Sequence, residues 1–335
     1  MFDAYKTKYR LLVVDQYGIQ RNIKEFATNL GWEQNARQLA TKITFNVENE
    51  KTEAGRISKL VKPGCLVIIT AECESHKEEV ARGYVTTWEP NLTNKKCEFK
   101  VTAYDELFNL MKSQDNLYYS EGTGTQTIIS DVVGNWGIPL ARYEGPNVSH
   151  DKLAFSTKNL AEVIYEVLDD AAKKGGSHAF LRCTKGKLSV LRWGPNKEIW
   201  CFDTKNSIQA SYKISTESMI TRVKVIGEEN DDGRSPVEAT LNGRTQFGIR
   251  QKIYRRGTDE SLEDAQAAAQ EILDEEGEPQ ETMTVKAPDV PFIRKGDRVY
   301  CFCGYARGYY FVRGIKHDAG NGQMTMDLTT KESEK

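Results

Sequence analysis

Apolar and polar residues alternate along several short segments in the first third of the chain. Ile43-Thr44-Phe45-Asn46-Val47 changes character at every position, which is typical of a half-buried strand. The same period of two recurs at Arg82-Gly83-Tyr84-Val85-Thr86 and at Glu98-Phe99-Lys100-Val101-Thr102-Ala103. Between the first of these segments and the second, Lys62-Pro63-Gly64-Cys65 supplies a turn before an apolar run. These segments predict an antiparallel β domain over residues 1–112.

The last part of the chain repeats this layout. Met283-Thr284-Val285-Lys286 alternates, Arg294-Lys295-Gly296-Asp297 forms a turn before a strand, and Arg307-Gly308-Tyr309 follows. The common order of strand, turn and strand favours a duplicated small barrel or sandwich. Chance similarity between two meanders is the alternative.

The alignment of the two copies can be stated residue by residue. Placing Arg82-Gly83-Tyr84 on Arg307-Gly308-Tyr309 without a gap also aligns three inward positions. The aligned pairs are Phe99 with Met324, Val101 with Met326, and Ala103 with Leu328. Holding Gly64 against Gly296 then requires a shorter connection in the second copy, and polar residues 72–79 are the surplus.

The middle of the chain has helical periodicity and predicts a small α+β domain over residues 113–203. One helix follows Thr125-Gln126-Thr127 and ends at Gly137. A second, capped by Ser156 or Thr157, closes at Lys173-Lys174-Gly175-Gly176. The apolar stripe of this second helix is formed by Leu160, Val163, Ile164, Val167 and Leu168. The strands Ala179-Phe180-Leu181-Arg182 and Leu188-Ser189-Val190-Leu191 are predicted to form a hairpin behind it.

The second β domain is predicted over residues 204–335 and opens with the alternating segment at 220–227. It carries one inserted helix at about 261–274, where Ser261 and Asp264 resemble a capping box. Asp274-Glu275-Glu276 is predicted to be a solvated loop. The predicted fold class is therefore α+β, mainly β, with two related antiparallel β-barrels and an intervening α+β domain.

Composition and charge narrow the function classes. The chain has 335 residues, of which 39% are hydrophobic and 28% charged, and its formal net charge is -2. This balance gives no bulk attraction to nucleic acid or anionic lipid. No apolar run approaches the ~20 residues that span a bilayer, and the N-terminus lacks the layout of a secretory signal. We therefore expect no membrane insertion, and we expect the chain to stay where it is made until it is assembled.

Candidate catalytic and redox residues are few. None of the seven cysteines shows the CxxC spacing of a metal or redox motif. Cys301 and Cys303 are two residues apart and are expected to pack on one face of a strand. The four histidines are His76, His150, His178 and His317. None of them accompanies a recognisable nucleophile motif. The sequence therefore predicts no catalytic residue and no enzyme.

Candidate ligand sites are equally weak. Gly122-Thr123-Gly124-Thr125 lacks the remaining features of a phosphate loop, so a loop with a Thr helix cap is preferred. The acidic segment 228–233 lacks EF-hand order, so a solvated hairpin tip is preferred to a calcium site. We expect no cofactor-binding and no metal residue. Aromatic residues such as Tyr309-Tyr310 leave a sugar- or base-stacking surface open.

An ordered set of segments resembles one known family. It comprises Leu39-Ala40-Thr41-Lys42-Ile43, Lys62-Pro63-Gly64-Cys65, Arg82-Gly83-Tyr84-Val85, Phe99-Lys100-Val101-Thr102-Ala103-Tyr104-Asp105, Met219-Ile220-Thr221-Arg222-Val223, the helix around Ala265 and Ala269, and Arg294-Lys295-Gly296-Asp297. The chain is similar to the XkdQ/YqbQ proteins of PBSX-like prophages, which are related to late control protein D and other contractile-tail baseplate hubs.

The resemblance implies two tail-tube-like barrels in one chain and a homotrimeric ring with pseudo-sixfold symmetry. The implied function is a structural adaptor that joins the tail tube to the central spike and nucleates tube assembly. The implied partners are the chain itself, the tail tube protein, a spike protein and other baseplate components, with DNA passing through without specific binding. The implied location is the bacterial cytoplasm during assembly and then the virion or tail-particle baseplate. A tail-associated cell-wall hydrolase and a carbohydrate-binding β module are the alternatives.

Overall fold

The computed structural model describes residues 3–36, 38–52, 55–73, 76–92, 97–230, 233–258 and 260–332. The chain forms two compact units. Unit 1 comprises Met1–Ser211 and Thr284–Lys335, and unit 2 comprises Tyr212–Met283.

The described residues contain short 3-10 helices at Ala4–Lys6, Lys24–Phe26 and Thr245–Phe247, together with the following strands and α-helices in chain order. These are β1 (Lys8–Val14), β2 (Gln20–Asn22), β3 (Ala27–Gln34), β4 (Lys42–Glu48), β5 (Lys51–Thr52), β6 (Gly55–Arg56), α1 (Ile57–Leu60), β7 (Leu66–Cys73), β8 (His76–Leu92), β9 (Cys97–Tyr104), α2 (Leu107–Lys112), β10 (Gln114–Tyr119), α3 (Thr125–Asn135), β11 (Leu140–Tyr143), β12 (Leu153–Asn159), α4 (Leu160–Lys173), β13 (Ala179–Thr184), β14 (Lys187–Arg192), β15 (Trp200–Asp203), β16 (Gln209–Ser215), β17 (Arg222–Ile226), β18 (Val237–Asn242), β19 (Gln251–Arg255), α5 (Leu262–Glu276), β20 (Gln280–Pro288), β21 (Arg298–Cys303), β22 (Ala306–Asp318) and β23 (Gln323–Thr329).

The large sheet runs in the order β16-β20-β23-β22-β3-β4-β9-β8-β7-β1-β2, with β21 paired to β22 and β15 paired to β21. Burial alternates residue by residue along β4 and β23, so the predicted half-buried strands are confirmed. The prediction of a mainly β fold of the α+β class is confirmed as well.

Strands β7, β8 and β9, which we call the first repeat, have the same turn as β21, β22 and β23, the second repeat. Gly64 donates its N–H to the carbonyl of Val85 at 2.8 Å, and Gly296 donates to that of Val312 at 2.7 Å. Both glycines adopt positive φ, 89° and 86°. Since L-residues rarely adopt this backbone, the turn explains both glycines.

The two repeats also share one β-bulge. The pairing of β8 with β9 shifts between Val85 and Thr87, and the pairing of β22 with β23 shifts between Val312 and Gly314. A bulge leaves one residue unpaired and increases local twist. Its presence at the same place after the same turn shows that the repeats are related in detail.

The register corrects the alignment of the middle strand. Ile69 pairs with Ala81, whereas its counterpart Cys301 pairs with Gly308. Gly308 therefore corresponds to Ala81 rather than Gly83, and the alignment of the two Arg-Gly-Tyr segments was wrong by two residues. A shift of two keeps every side chain on the same face, so alternation alone does not detect it.

The α+β region contains the predicted helices and hairpin. Helix α4 ends at Lys173 as predicted, but it begins after Asn159, whose side chain accepts from the N–H groups of Ala161 and Glu162. The prediction of Ser156 or Thr157 as the cap was wrong because β12 continues through both. The N-cap of α3 is Gly124 and makes no side-chain cap hydrogen bond, so the expected Thr cap is also absent.

Unit 2 is built from a three-stranded sheet, in the order β18-β17-β19, and helix α5. Ala265, Ala269 and Leu273 of the helix pack with Val223 and Val225 of the central strand. The segment expected to open the second β domain therefore forms the centre of this small sheet.

Helix α5 has the expected start and a later end. The Ser261 hydroxyl accepts from the Asp264 N–H at 3.1 Å and donates to the Asp264 carboxylate at 2.6 Å. The helix continues to Glu276, so the prediction of a loop at Asp274 was wrong. The boundaries 1–112, 113–203 and 204–335 stay a prediction.

We expect Gly83→Ala to destabilise the chain by about 2–4 kcal/mol, because its Cβ would lie 2.6 Å from the backbone of Tyr104. Gly134→Ala is the control, since nothing lies within 4 Å of its added Cβ in helix α3 and a gain of up to about 1 kcal/mol is expected. Urea unfolding measures both. Equal effects of the two variants would contradict the close strand contact.

Candidate functional site: the junction between the repeats

The two repeats are joined by backbone pairing. Strand β22 extends beyond its pairing with β21 and pairs with β3, so that His317 lies opposite Trp32 and Asp318 opposite Gly31. The approach is close, because a Cβ added to Gly31 would lie 2.6 Å from the His317 carbonyl oxygen. One sheet therefore passes from the second repeat to the strands beside the first.

His317 lies at the centre of this junction. Its Nδ1 is 2.6 Å from Asp289 Oδ1, and its Nε2 is 3.0 Å from the carbonyl oxygen of Ile293. Carboxylates and carbonyls accept hydrogen bonds, so both contacts are satisfied when both ring nitrogens carry protons. His317 and Asp289 are each 1% exposed, and loss of either would leave a buried polar group without its partner.

Aromatic side chains enclose the pair. Trp32 stacks on the His317 ring with centroids 4.5 Å apart, and Tyr9 meets Trp32 edge to face. The Tyr9 hydroxyl donates to Asp289 Oδ2 at 2.5 Å. Burial, assisted by the Asp289 charge, raises the pKa of Tyr9 far above its usual range. The hydroxyl therefore remains a donor, and it ties β1 to the loop after β20.

A second cluster joins the α+β region to the turn of the second repeat. Arg182 donates to Asp297 Oδ1 at 2.7 Å and also to the carbonyl of Lys295. The Phe180 ring lies against Gly296, where an added Cβ would be only 1.9 Å from the ring. The repeat's turn glycine thus provides both the positive φ and the space for Phe180.

Arg294 extends this cluster to the first repeat. Its guanidinium donates to the carbonyl of Glu79 at 2.9 Å and to the Glu78 carboxylate at 3.2 Å. It also contacts the Thr184 hydroxyl at 3.4 Å. Burial lowers the pKa of the Arg294 guanidinium, and the neighbouring carboxylates oppose that change. One side chain therefore links both repeats and the α+β region.

Asp105 is a buried carboxylate beside the same cluster. It accepts from the N–H of Thr41 at 2.9 Å and from that of Leu107 at 3.1 Å. Burial raises the pKa of Asp105 to about 7, although these two donors oppose the increase. The group stabilises the backbone around the end of β9 and makes its stability depend on pH.

The structure brings together three residues that the sequence did not connect. His150 contacts the Thr125 hydroxyl through Nε2 at 2.9 Å and Asp170 Oδ2 through Nδ1 at 2.6 Å. The arrangement resembles a hydrolase triad, but Thr125 is 0% exposed and His150 2% exposed. With the hydroxyl enclosed, no substrate carbonyl can approach it, and the cluster instead connects helices α3 and α4 to the intervening loop.

The remaining sequence candidates are dispersed. Cys301 and Cys303 are both buried on one face of β21, as predicted, and burial raises the pKa of Cys301 to about 12. His76 lies 3.6 Å from Glu198. In the acidic segment 228–233, Asp231 and Asp232 lie outside the described residues.

The outer face of β21 and β22 carries an aromatic–arginine surface formed by Arg298, Tyr300, Phe302, Arg307 and Tyr309. Phe302 is 54% and Tyr309 60% exposed. Arg307 lies over the Phe302 ring at 5.2 Å, and Arg298 over the Tyr309 ring at 5.1 Å. Aromatic and arginine side chains are enriched in protein interfaces.

The described ranges contain no group of three or more His, Cys, Asp or Glu side chains placed to hold a metal ion. Nor does any helix within them have both the length and the apolar character needed to cross a membrane.

Solved structures with a similar fold include phage tail proteins. The tail protein from Neisseria meningitidis MC58 matches with a TM-score of 0.66 and 15% identity, covering 96% of each chain. The 43 kDa tail protein of prophage MuSo2 from Shewanella oneidensis matches with a TM-score of 0.66 and 13% identity, covering 96% of this chain and 98% of that one. At these low sequence identities the similarity shows a shared fold: this chain has the fold of these two tail proteins.

The amino-acid sequence matches one protein family over most of its length. The YQBQ-like family matches residues 30–331, and the chain belongs to that family. The phage-like element PBSX protein XkdQ of Bacillus subtilis strain 168 is 24% identical over 265 residues, covering 76% of this chain and 78% of that protein. YqbQ of the same organism is 23% identical over 265 residues, covering 76% and 79%. The resemblance inferred from the ordered segments is thereby confirmed.

We expect Tyr9→Phe to lower the free energy of unfolding by about 1–2 kcal/mol, because the buried Asp289 carboxylate loses one donor. Tyr17→Phe is the control, since Tyr17 is 79% exposed, and little change is expected. Chemical denaturation of both variants measures the difference. A wild-type midpoint for Tyr9→Phe would mean that the hydroxyl contributes nothing to the junction.

We expect the contribution of Asp105 to stability to fall as the pH rises from about 4 to about 7. The folded pKa of Asp105 is raised to about 7, so the native state retains a proton that the unfolded chain has already lost. This contribution is present below the unfolded pKa and is lost as the pH passes the folded one, by at most about 1.4 kcal/mol per pH unit. Urea unfolding over this range should show a smaller slope for Asp105→Asn, and an unchanged slope would contradict the assignment.

Proposed function

We propose that this protein is the baseplate hub of a phage, a prophage or a phage-tail-like contractile particle, in which three copies form a ring between the tail tube and the central spike. The observation that carries the proposal is the repeat. One chain holds two three-stranded segments with the same turn and the same bulge, linked by one sheet. Three such chains would present six related segments around one axis.

A mechanical reason supports this arrangement. A threefold spike and a sixfold tube have different symmetries, and a trimer with an internal duplication can contact both. The junction supports the role, since the pairing of β22 with β3, the stacking of Trp32 on His317 and the contacts of Arg294 with Glu78 and Glu79 favour one orientation of the two repeats. A fixed orientation is what an adaptor needs to set the spacing of the subunits that assemble on it.

The proposed partners follow from this role. A tube protein would assemble on one side of the ring and a spike on the other, with further baseplate components around it. The aromatic–arginine surface supports a protein contact, because exposed rings with stacked guanidinium groups lose water readily on association. DNA would pass along the axis without specific binding, and assembly would take place in the bacterial cytoplasm before the particle is complete.

The same surface favours a carbohydrate-binding module as the second candidate, because exposed Tyr and Phe rings can stack on sugars. Co-sedimentation of the purified chain with peptidoglycan, with Phe302→Ser as the matched variant, separates the two functions. The hub proposal expects no binding to peptidoglycan by either protein. Binding that disappears with Phe302→Ser would favour the carbohydrate-binding function.

The hub proposal itself is tested by electron microscopy of the native particle. We expect three copies of the chain in an axial ring at the junction of tube and spike. A position outside the axis, or a copy number other than three, would overturn it. Release of soluble sugar fragments from peptidoglycan by the purified chain would separately overturn its purely structural role.

A further inference from the structure

We propose that the free edge of β8 at residues 88–92 pairs in antiparallel fashion with the edge strand β16 of a second copy of this chain. The inference rests on the proposed hub function and names the strands through which neighbouring copies meet. It follows from a difference between the two repeats. The long middle strand of each repeat, β22 or β8, continues past the end of its first neighbour. The edge left by this continuation is covered by another strand of the chain in the second repeat and is uncovered in the first.

In the second repeat the extended edge is covered. Strand β22 pairs with β21 up to Phe311 and then continues, and from Ile315 to Asp318 its edge is occupied by β3. This is the pairing that joins the repeats. The extension therefore acts as a docking edge for a strand from outside its own three-stranded segment.

In the first repeat the equivalent edge is open. Strand β8 pairs with β7 only as far as Tyr84, whereas its pairing with β9 continues to Leu92. After the shared bulge, Trp88 lies opposite Val101 as Ile315 lies opposite Met326, so residues 88–91 correspond to 315–318. Among the described strands, only β7 and β9 neighbour β8. Exposed strand edges of this kind recruit further strands.

The chain also contains a strand in the position that fits this edge. Strand β3 reaches the first repeat through β4 and β9, and β16 reaches the second repeat in the same way through β20 and β23. β16 ends the sheet, with no described strand on its outer side. By position in the sheet, β16 is the counterpart of β3, so the β16 of one copy matches the open β8 edge of another.

The hydrogen-bond directions of β16 agree with docking. The Ile208 N–H donates to the Lys286 carbonyl, so Ile208 and Ala210 direct their backbone groups toward β20. Gln209 and Ser211 therefore direct theirs outward, and both side chains are exposed. The outer edge offers N–H and C=O groups at alternate residues, as an incoming strand requires.

Pro90 limits the strength of this pairing. The Asn49 N–H donates to the Cys97 carbonyl, so alternate residues of β9, including Phe99, direct their backbone groups toward β4. Pro90 lies opposite Phe99 and so directs its own backbone toward the open edge. Proline offers a carbonyl there but no N–H, which is a known way to restrain an exposed edge. Pairing between copies is therefore weaker than the pairing of β22 with β3.

The geometry makes the contact head-to-tail. Each chain has one open edge at β8 and a different, complementary one at β16, so each copy would bind two neighbours. Such a contact closes into a ring when the rotation per copy divides a full turn. The internal β3–β22 contact and the proposed one between copies would then alternate around the axis.

The register predicts one residue pair across the contact. Thr44 lies opposite Thr102, and the Thr284 hydroxyl donates to Asp327, the counterpart of Thr102. The Asp289 N–H also donates to the Gly322 carbonyl, which in an antiparallel pair puts Thr284 opposite Asp327, so Thr284 is the counterpart of Thr44. Gly31 lies opposite Thr44. The Ile208–Lys286 hydrogen bond, with β16 antiparallel to β20 as β3 is to β4, puts Ala210 opposite Thr284, so we infer that Ala210 is the counterpart of Gly31.

Since Gly31 faces Asp318, whose counterpart is Asn91, Ala210 of one copy should face Asn91 of the next.

The test is a cysteine pair, Asn91→Cys with Ala210→Cys, in assembled particles under oxidising conditions. We expect covalent multimers of up to three chains on a non-reducing gel for the double variant and none for either single variant. Assembled particles in which the double variant runs as a single chain would overturn the proposal.

A backbone variant provides an independent test. Ser211→Pro removes an N–H on the side of β16 that has no neighbouring strand among the described residues, so the purified protein should keep its thermal midpoint while its incorporation into particles falls at least tenfold. Ser211→Ala keeps the N–H and should incorporate normally. Equal incorporation of the two variants would overturn the edge pairing. A three-copy ring seen by microscopy without the cross-link would overturn this inference alone, whereas absence from the axis would overturn the hub function.

Discussion

The structure of unit 1 depends on the pairing of β22 with β3. This contact converts two related segments, separated in sequence by more than half the chain, into one sheet. Gly31 is required at the point of closest approach, since any side chain there would meet the backbone of His317. Because backbone pairing sets both distance and register, the orientation of one repeat relative to the other follows from it.

Side chains on the two sides of this pairing make it specific. The Tyr9–Asp289–His317 network joins β1 and β3 to the second repeat, and Arg294 joins the second repeat to Glu79 and to the α+β region. Both clusters are largely buried, so each depends on all of its partners being present. These contacts favour one orientation of the repeats, which the proposed hub function requires.

Much of the fold was predictable because its signals are local. Alternation located the strands, and helix α4 was visible from its apolar stripe. The two-residue error at Gly83 arose because alternation does not detect an even shift, and the true cap of α4, Asn159, was hidden by a strand that runs directly into the helix. The partner of His317 is Asp289, 28 residues away, rather than the adjacent Asp318, and only the folded chain shows this. Family resemblance rested on the order of segments, which survives such local errors.

We expect the two repeats of one chain to form a single cooperative unit through β3 and β22. Hydrogen exchange of the purified chain, followed by mass spectrometry, tests it most directly. If they do, the amides of β3 and of β22 exchange slowly and become exposed together, with the same dependence on denaturant. Exchange of the β22 amides at low denaturant while β3 and β4 stay protected would show that the repeats open separately, and would contradict the claim.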